Sequence, residues 1–198
     1  VLFLLLCGCH AADKKDSPQP TGTTIPAQAD FPYTFTDSTG RTVTLTSRPE
    51  KVAVLFSSYA EIWKLAGGDI AITVADSVKR GFADDTAALV DDGPGLTINT
   101  ELLVAEEPDF VIASADMAAQ VEVCERLEKA GGPCAAFTEE TVADYVSMLK
   151  IFTDITGNPE AYDAYGTQLQ NRVDKAIADA RERAEQAGEP VSVLFIRA

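Results

Sequence analysis

NTELLVAEEPDFVI, Asn99 to Ile112, decides the fold of this chain. Its first half, Glu101 to Glu107, is a short helix of good formers, with Leu102, Leu103 and Ala105 set among acids. Asn99 stands where an N-cap side chain accepts a backbone N–H. Glu101 falls in the first turn, where the positive end of the helix dipole favours a carboxylate. Pro108 and Asp109 end the helix, because proline disfavours the helical region for the residue before it. Phe110 to Ala113 follow as an apolar run, the pattern of a buried parallel strand. A helix that feeds straight into such a strand is half of a βαβ unit.

The pattern continues on both sides. Val52 to Phe56 and Ile70 to Ala75 read as buried strands around a helix from Ala60 to Ala66, which Gly67 and Gly68 stop. Strand, helix and strand in that order predict a parallel pair with a right-handed crossover. Ligands bind beyond the carboxyl ends of such strands. That rule places Ser57, Ser58 and Tyr59 at the edge of a cleft, with Asp76, Ser77, Lys79, Arg80, Gly81 and Phe82 past the next strand. Gly93-Pro94-Gly95 is a tight turn, and Ser114-Ala115-Asp116 again ends a strand. Met117, Val121, Cys124 and Leu127 recur at helical spacing, which makes Met117 a core residue before a haem ligand. Gly131-Gly132-Pro133 stop that helix, and Cys134 to Phe137 is a fourth strand of the lobe.

Upstream, Tyr33–Thr36 and Thr42–Thr46 alternate around the turn Asp37–Gly40, which predicts a β-hairpin with Arg41 and Arg48 as exposed charges. Downstream, Val142, Tyr145, Leu149 and Phe152 mark a helix that stops at Gly157. Asn158-Pro159-Glu160 then opens another. From Pro159 to Ala187 only Gly166 interrupts, so the rod is about 43 Å long at about 1.5 Å per residue. Val191 to Ile196 is one more apolar strand.

The chain has 198 residues, which fits one domain or one and a half. Its formal charge of −15, with no basic cluster, argues against nucleic acid and against charge-driven membrane binding. The single histidine is His10, so a histidine-rich metal or haem site has no residues to build it from position 31 onward, which disfavours a bare metal ion. No G-x-G-x-x-G opens a helix and no P-loop is present, so nucleotide binding is unsupported. A secreted α/β hydrolase would need a G-x-S-x-G elbow and a catalytic histidine, and neither is here.

Val1 to Leu6 is apolar and too short to span a bilayer, which takes about 20 residues. Leu6-Cys7-Gly8-Cys9 resembles the bacterial lipobox, which implies that residues 1–8 end a signal peptide and that Cys9 is acylated. Residues 9–30 then read as a disordered tether. Cys124 and Cys134 are the only cysteines in the folded region. They are either a disulfide, as extracytoplasmic thiols allow, or two buried thiols.

Two stretches carry a wider resemblance. N-x-E with P-D seven residues after the glutamate, and the opening FTDSTGRTVTLTSRPEKVAVL, are similar to the substrate-binding proteins of ABC importers for iron–siderophore complexes, haem and cobalamin. The resemblance implies two α/β lobes joined by one long helix. Residues 31–157 would be the N-terminal ligand-binding lobe, Rossmann-like with a parallel sheet and a leading hairpin. Residues 158–188 would be the interlobe helix, and 189–198 would start a second lobe that is missing here. It implies capture and delivery without chemistry and without a resident cofactor. The cargo would be a ferric chelate, haem or cobalamin, contacted by Ser57, Ser58, Tyr59, Ser77, Arg80, Gly93, Gly95 and Ser114. It also implies that Glu101 docks on a membrane permease, which works with its ATPase. The protein would be a monomer, lipid-anchored outside the cytoplasm of a bacterial cell. A structural or sensory surface lipoprotein is the rival from another class.

Overall fold

Tyr33–Thr36 (β1) and Thr42–Leu45 (β2) pair antiparallel, Tyr33 opposite Leu45 and Thr36 opposite Thr42. The computed structural model, which describes residues 30–92 and 97–188, thus starts with the expected hairpin. Asp37 closes it. Its carboxylate accepts from the backbone N–H groups of Thr39, Arg41 and Ala136, and from the Arg41 guanidinium at 2.7 Å. Arg41 is therefore not an exposed hairpin charge. It pairs with a buried acid and lies 3.9 Å from Glu128, whereas Arg48 is exposed.

From Val52 the chain alternates strand and helix. The elements are Val52–Val54 (β3), Ser57–Leu65 (α1), Ile72–Thr73 (β4), Ala75–Lys79 (α2), Ala88–Leu89 (β5), Thr100–Ala105 (α3), Phe110–Ser114 (β6), Ala118–Lys129 (α4), Cys134–Phe137 (β7) and Val142–Thr156 (α5). All five strands from β3 onward lie parallel in the order β5-β4-β3-β6-β7. Four were expected. The extra edge strand β5 is two residues long, too short to alternate. It exists because Ala88 N–H donates to Ala71 O and Val90 N–H to Thr73 O.

Period-two alternation divides the core. Val52, Val54, Phe110 and Ile112 face α1, α5 and the hairpin, while Ala53, Leu55, Val111 and Ala113 face α3 and α4. Trp63 and Phe152 meet edge to face at 5.2 Å on the first side, and burying each such ring is worth about 2–3 kcal/mol. On the second side Cys124 of α4 and Cys134 of β7 form a disulfide. The stripe of α4 runs through Gln120, Val123, Cys124 and Leu127, rotated from the expected Met117 and Val121.

The opening stretch folds as read, with one shift. Asn99 Oδ1 accepts from Leu102 N–H at 3.0 Å. The helix ends at Ala105 instead of Glu107, because Glu106 caps it and Glu107 turns left-handed, φ 49°. Asp109 takes the N–H groups of Glu50 and Lys51 at 2.7 and 2.9 Å, so the P-D pair ties the start of β6 to the start of β3.

After Gly157, Asn158 caps Pro159–Tyr162 (α6), accepting from Ala161 N–H. The expected uniform rod is broken by a π-helical turn at Asp163–Thr167 before Gln168–Ala187 (α7). Gly166 lies within that turn and is buried, and a Cβ there would sit 3.1 Å from the Tyr162 ring and 3.4 Å from Leu149. Cys9, Gly93, Gly95 and the expected strand Val191–Ile196 lie outside the described residues. Among the described residues no helix is long and apolar enough to cross a membrane.

Candidate functional site

The strand order reverses between β3 and β6, since β4 and β5 lie to one side and β7 to the other. In a parallel α/β sheet, this switch point opens a crevice at the carboxyl ends of the strands. Phe56, Ser57 and Ser58 follow β3 on one bank, and Ala115, Asp116 and Met117 follow β6 on the other. Helices α1 and α4 begin here, and neither has a side-chain cap. The positive ends of two helix dipoles are thus turned toward whatever lies above the sheet.

Arg80, at the end of α2, supplies the cation. Its Nη1 donates to Ser57 Oγ at 2.9 Å, and its guanidinium stacks 4.6 Å above the Phe82 ring centroid. Its pairing with Asp76 is long, 3.8 Å, between half-exposed side chains, so it cancels little of the charge. Asp91, at the end of β5, accepts from Ala75 N–H at 3.0 Å and so fixes the start of α2.

The remaining expected ligand residues fare differently. Ser58 is half-buried beside Arg80's partner Ser57. Tyr59 is 1% exposed and donates its hydroxyl to Phe137 O at 2.8 Å. Burial pushes its phenol up to about 12; Ser114 opposes this and Asp116, Glu139 and Asp144 add to it. Ser77 and Ser114 are also buried. These three side chains form the wall beneath the crevice, not its surface. All three lie at or just past strand ends, but α1 starts at Ser57 and α2 at Ala75, and those helical turns rotate Tyr59 and Ser77 inward, while Ser114 is still the last residue of β6, paired with Phe137. Glu101 is exposed in the first turn of α3.

One residue of this wall was not anticipated. Gln120 is fully buried; its Oε1 accepts from Ser114 N–H at 2.8 Å, and its Nε2 donates to Leu55 O at 3.0 Å and toward Met117 Sδ at 3.2 Å. Met117 sulfur is thereby engaged within the protein. A polar residue on the apolar stripe of a helix was the available signal.

The far bank is acidic. Glu139 is raised above the usual carboxylate range, first by partial desolvation and then by Glu61 and Asp144. A groove of about 480 Å³ lies at the opposite end of the sheet, by the amino ends of β6 and β7, between β2 and the turns Pro108–Asp109 and Gly131–Gly132. It lacks the carboxyl strand ends and helix N-termini that give the crevice its chemistry.

The family model described as "Periplasmic binding protein" matches residues 52–198. The chain belongs to the periplasmic binding protein family. A cobalamin-binding protein of Halobacterium salinarum is 30% identical over 168 residues, 83% of this chain and 45% of that protein. Among solved structures, a siderophore-binding protein holding two molecules of acinetobactin and ferric iron aligns with TM-score 0.58 and 18% identity, over 74% of this chain and 54% of that one. A haem-binding protein aligns with TM-score 0.57 and 21% identity, over 82% and 52%. These two likenesses establish the fold. The chain spans about half the length of the relatives it matches.

Proposed function

We propose that this periplasmic binding protein captures a metal chelate of the corrinoid, haem or ferric-siderophore class and hands it to an ABC permease. The observation that carries this is the crevice at the β3–β6 switch point, with Arg80 and two uncapped helix ends on one lobe. An interlobe crevice gains its depth from the second lobe's wall, which accounts for the shallow recess on this lobe alone. Arg80 and Ser58 would meet the cargo, while Ser57 orients Arg80; Gly93 and Gly95, outside the described residues, are assigned to the cargo from the family resemblance alone. Guanidinium suits the carboxylate or chelate oxygens of such cargo. Tyr59, Ser77 and Ser114 would hold the wall in place. Residues 31–157 would be the ligand lobe and 158–188 the interlobe helix. Cys9 would anchor the protein by lipid outside the cytoplasm, as a monomer, and no residue is assigned a catalytic role.

The relative named for cobalamin puts cyanocobalamin first among the probes. Full-length protein is titrated calorimetrically with cyanocobalamin, haemin and a ferric tris-catecholate. Saturable binding of one, with a dissociation constant below about 1 μM, is expected. Heat indistinguishable from dilution for all three, with the protein folded, overturns the assignment. A second reading, protein docking without cargo, draws on the exposed Leu89 of β5 and on Leu102 and Val104, exposed on the same helix as Glu101. It would then take precedence.

A further inference from the structure

The β3–β6 ladder stops one bond early. Val54 pairs with Ile112, and Leu55 N–H donates to Ile112 O at 2.9 Å. In a parallel ladder the next bond runs from Ser114 N–H to Leu55 O. Here the side-chain amide of Gln120 stands between those two groups, accepting from Ser114 N–H at 2.8 Å and donating to Leu55 O at 3.0 Å. On its other edge β6 stays in register to Ser114, opposite Phe137 of β7. β6 is therefore parted from β3, but not from β7, at the switch point where the crevice lies. Gln120 is itself fixed: it is 0% exposed, and one turn further along α4 Cys124 is bonded to Cys134 of β7.

We infer that Gln120 is a positioning residue, a wedge whose amide sets the spacing of the β3 and β6 ends and so the width of the crevice. It touches no cargo. It fixes the angle at which Ser57 and Ser58 on one bank face Asp116 on the other. The inference rests on the crevice being the cargo site. A buried amide that replaces a ladder bond satisfies both strand groups, so the parting leaves no orphaned polar atom.

The test uses full-length protein with Gln120→Met, which keeps the volume without the amide, and Gln120→Asn, whose amide is one methylene too short to bridge. NMR couplings across hydrogen bonds identify the acceptor of Ser114 N–H. Calorimetry measures binding of cyanocobalamin, haemin and the ferric tris-catecholate. In the unaltered protein Ser114 N–H couples to the Gln120 side chain. In Gln120→Met it shifts to Leu55 O as the ladder zips, and affinity for the bound probe falls at least tenfold in both variants while Tm stays within a few degrees. Unchanged affinity, or a lowered Tm with unchanged affinity of the folded protein, overturns the wedge. So does a Ser114–Leu55 bond already present in the unaltered protein. If Gln120→Met does not fold, Gln120→Asn is judged by the same affinity criterion. If the unaltered protein binds none of the probes, the cargo assignment fails separately, and the transfer of the Ser114 coupling alone decides for or against the wedge.

Discussion

At Asp37 one carboxylate joins the hairpin to β7, through Arg41 on one side and Ala136 N–H on the other. Burial alone would raise its pKa, but bonds from Ala136, Thr39 and Arg41 outweigh burial and hold it below the usual range. A depressed folded-state value means that the stabilisation is complete above the unfolded value, near pH 4, and is lost as pH falls through the folded value. Asp37→Asn should cost about 3 kcal/mol at pH 7, because it leaves the mostly buried Arg41 with only the exposed Glu128 at 3.9 Å in place of its buried counter-ion. Urea unfolding should show this gap closing below about pH 4. Gly68 makes a different prediction. A Cβ there would overlap the Trp63 ring, which is held by its bond to Asp69 O at 2.8 Å. Gly68→Ala should lower stability by about 3 kcal/mol in the same assay. From sequence, Gly67 and Gly68 were alike as helix stops. Only Gly67 has the left-handed backbone, φ 89°. The constraint on Gly68 comes from an indole five residues away in the chain.

Among the elements, α4 bears the most on the site, since it carries Gln120 and Cys124 on one face. The Cys124–Cys134 bond closes a short loop between that helix and β7. Replacing both cysteines by alanine should cost about 3 kcal/mol through the freed unfolded chain, read as a lower urea midpoint. Spacing alone left the two thiols open between a disulfide and separate burial. Helix α3 was legible almost to its last residue, because caps and breakers are local signals. Helix α2 was not. It is five residues long and depends on Asp91, sixteen positions downstream, for its first hydrogen bond.

For the whole molecule the question is what lies above the crevice. The apolar side of α7, with Leu169, Val173 and Ile177, buries no residue against the described lobe, and Ile177 is 45% exposed. Most of a helix's stability in a protein comes from packing of its apolar face, and the described lobe leaves this face of α7 open. Glu101 lies on the outer surface of α3, away from the buried wall. If Glu101 docks on the permease, as the family resemblance implies, Glu101→Ala in the complete protein should leave cargo affinity unchanged and abolish uptake in cells that carry the permease. Weakened affinity in calorimetry would remove the docking role from Glu101.

The sequence by itself determined the parallel α/β order, the hairpin, the helix caps at Asn99 and Asn158, and the family likeness. Each rests on short-range periodicity or on a cap only a few residues long. Tertiary structure alone decided which strand-end residues meet solvent. Tyr59, Ser77 and Ser114 share their local pattern with Ser58, yet they face inward. For Tyr59 and Ser77 the helix start fixes that direction to within a fraction of a turn, and the start of α2 depends on Asp91, which no local pattern encodes; Ser114 faces inward because β6 runs on to it beside β7. The same holds for Gln120, whose meaning comes from two strands that it meets only after the sheet has formed.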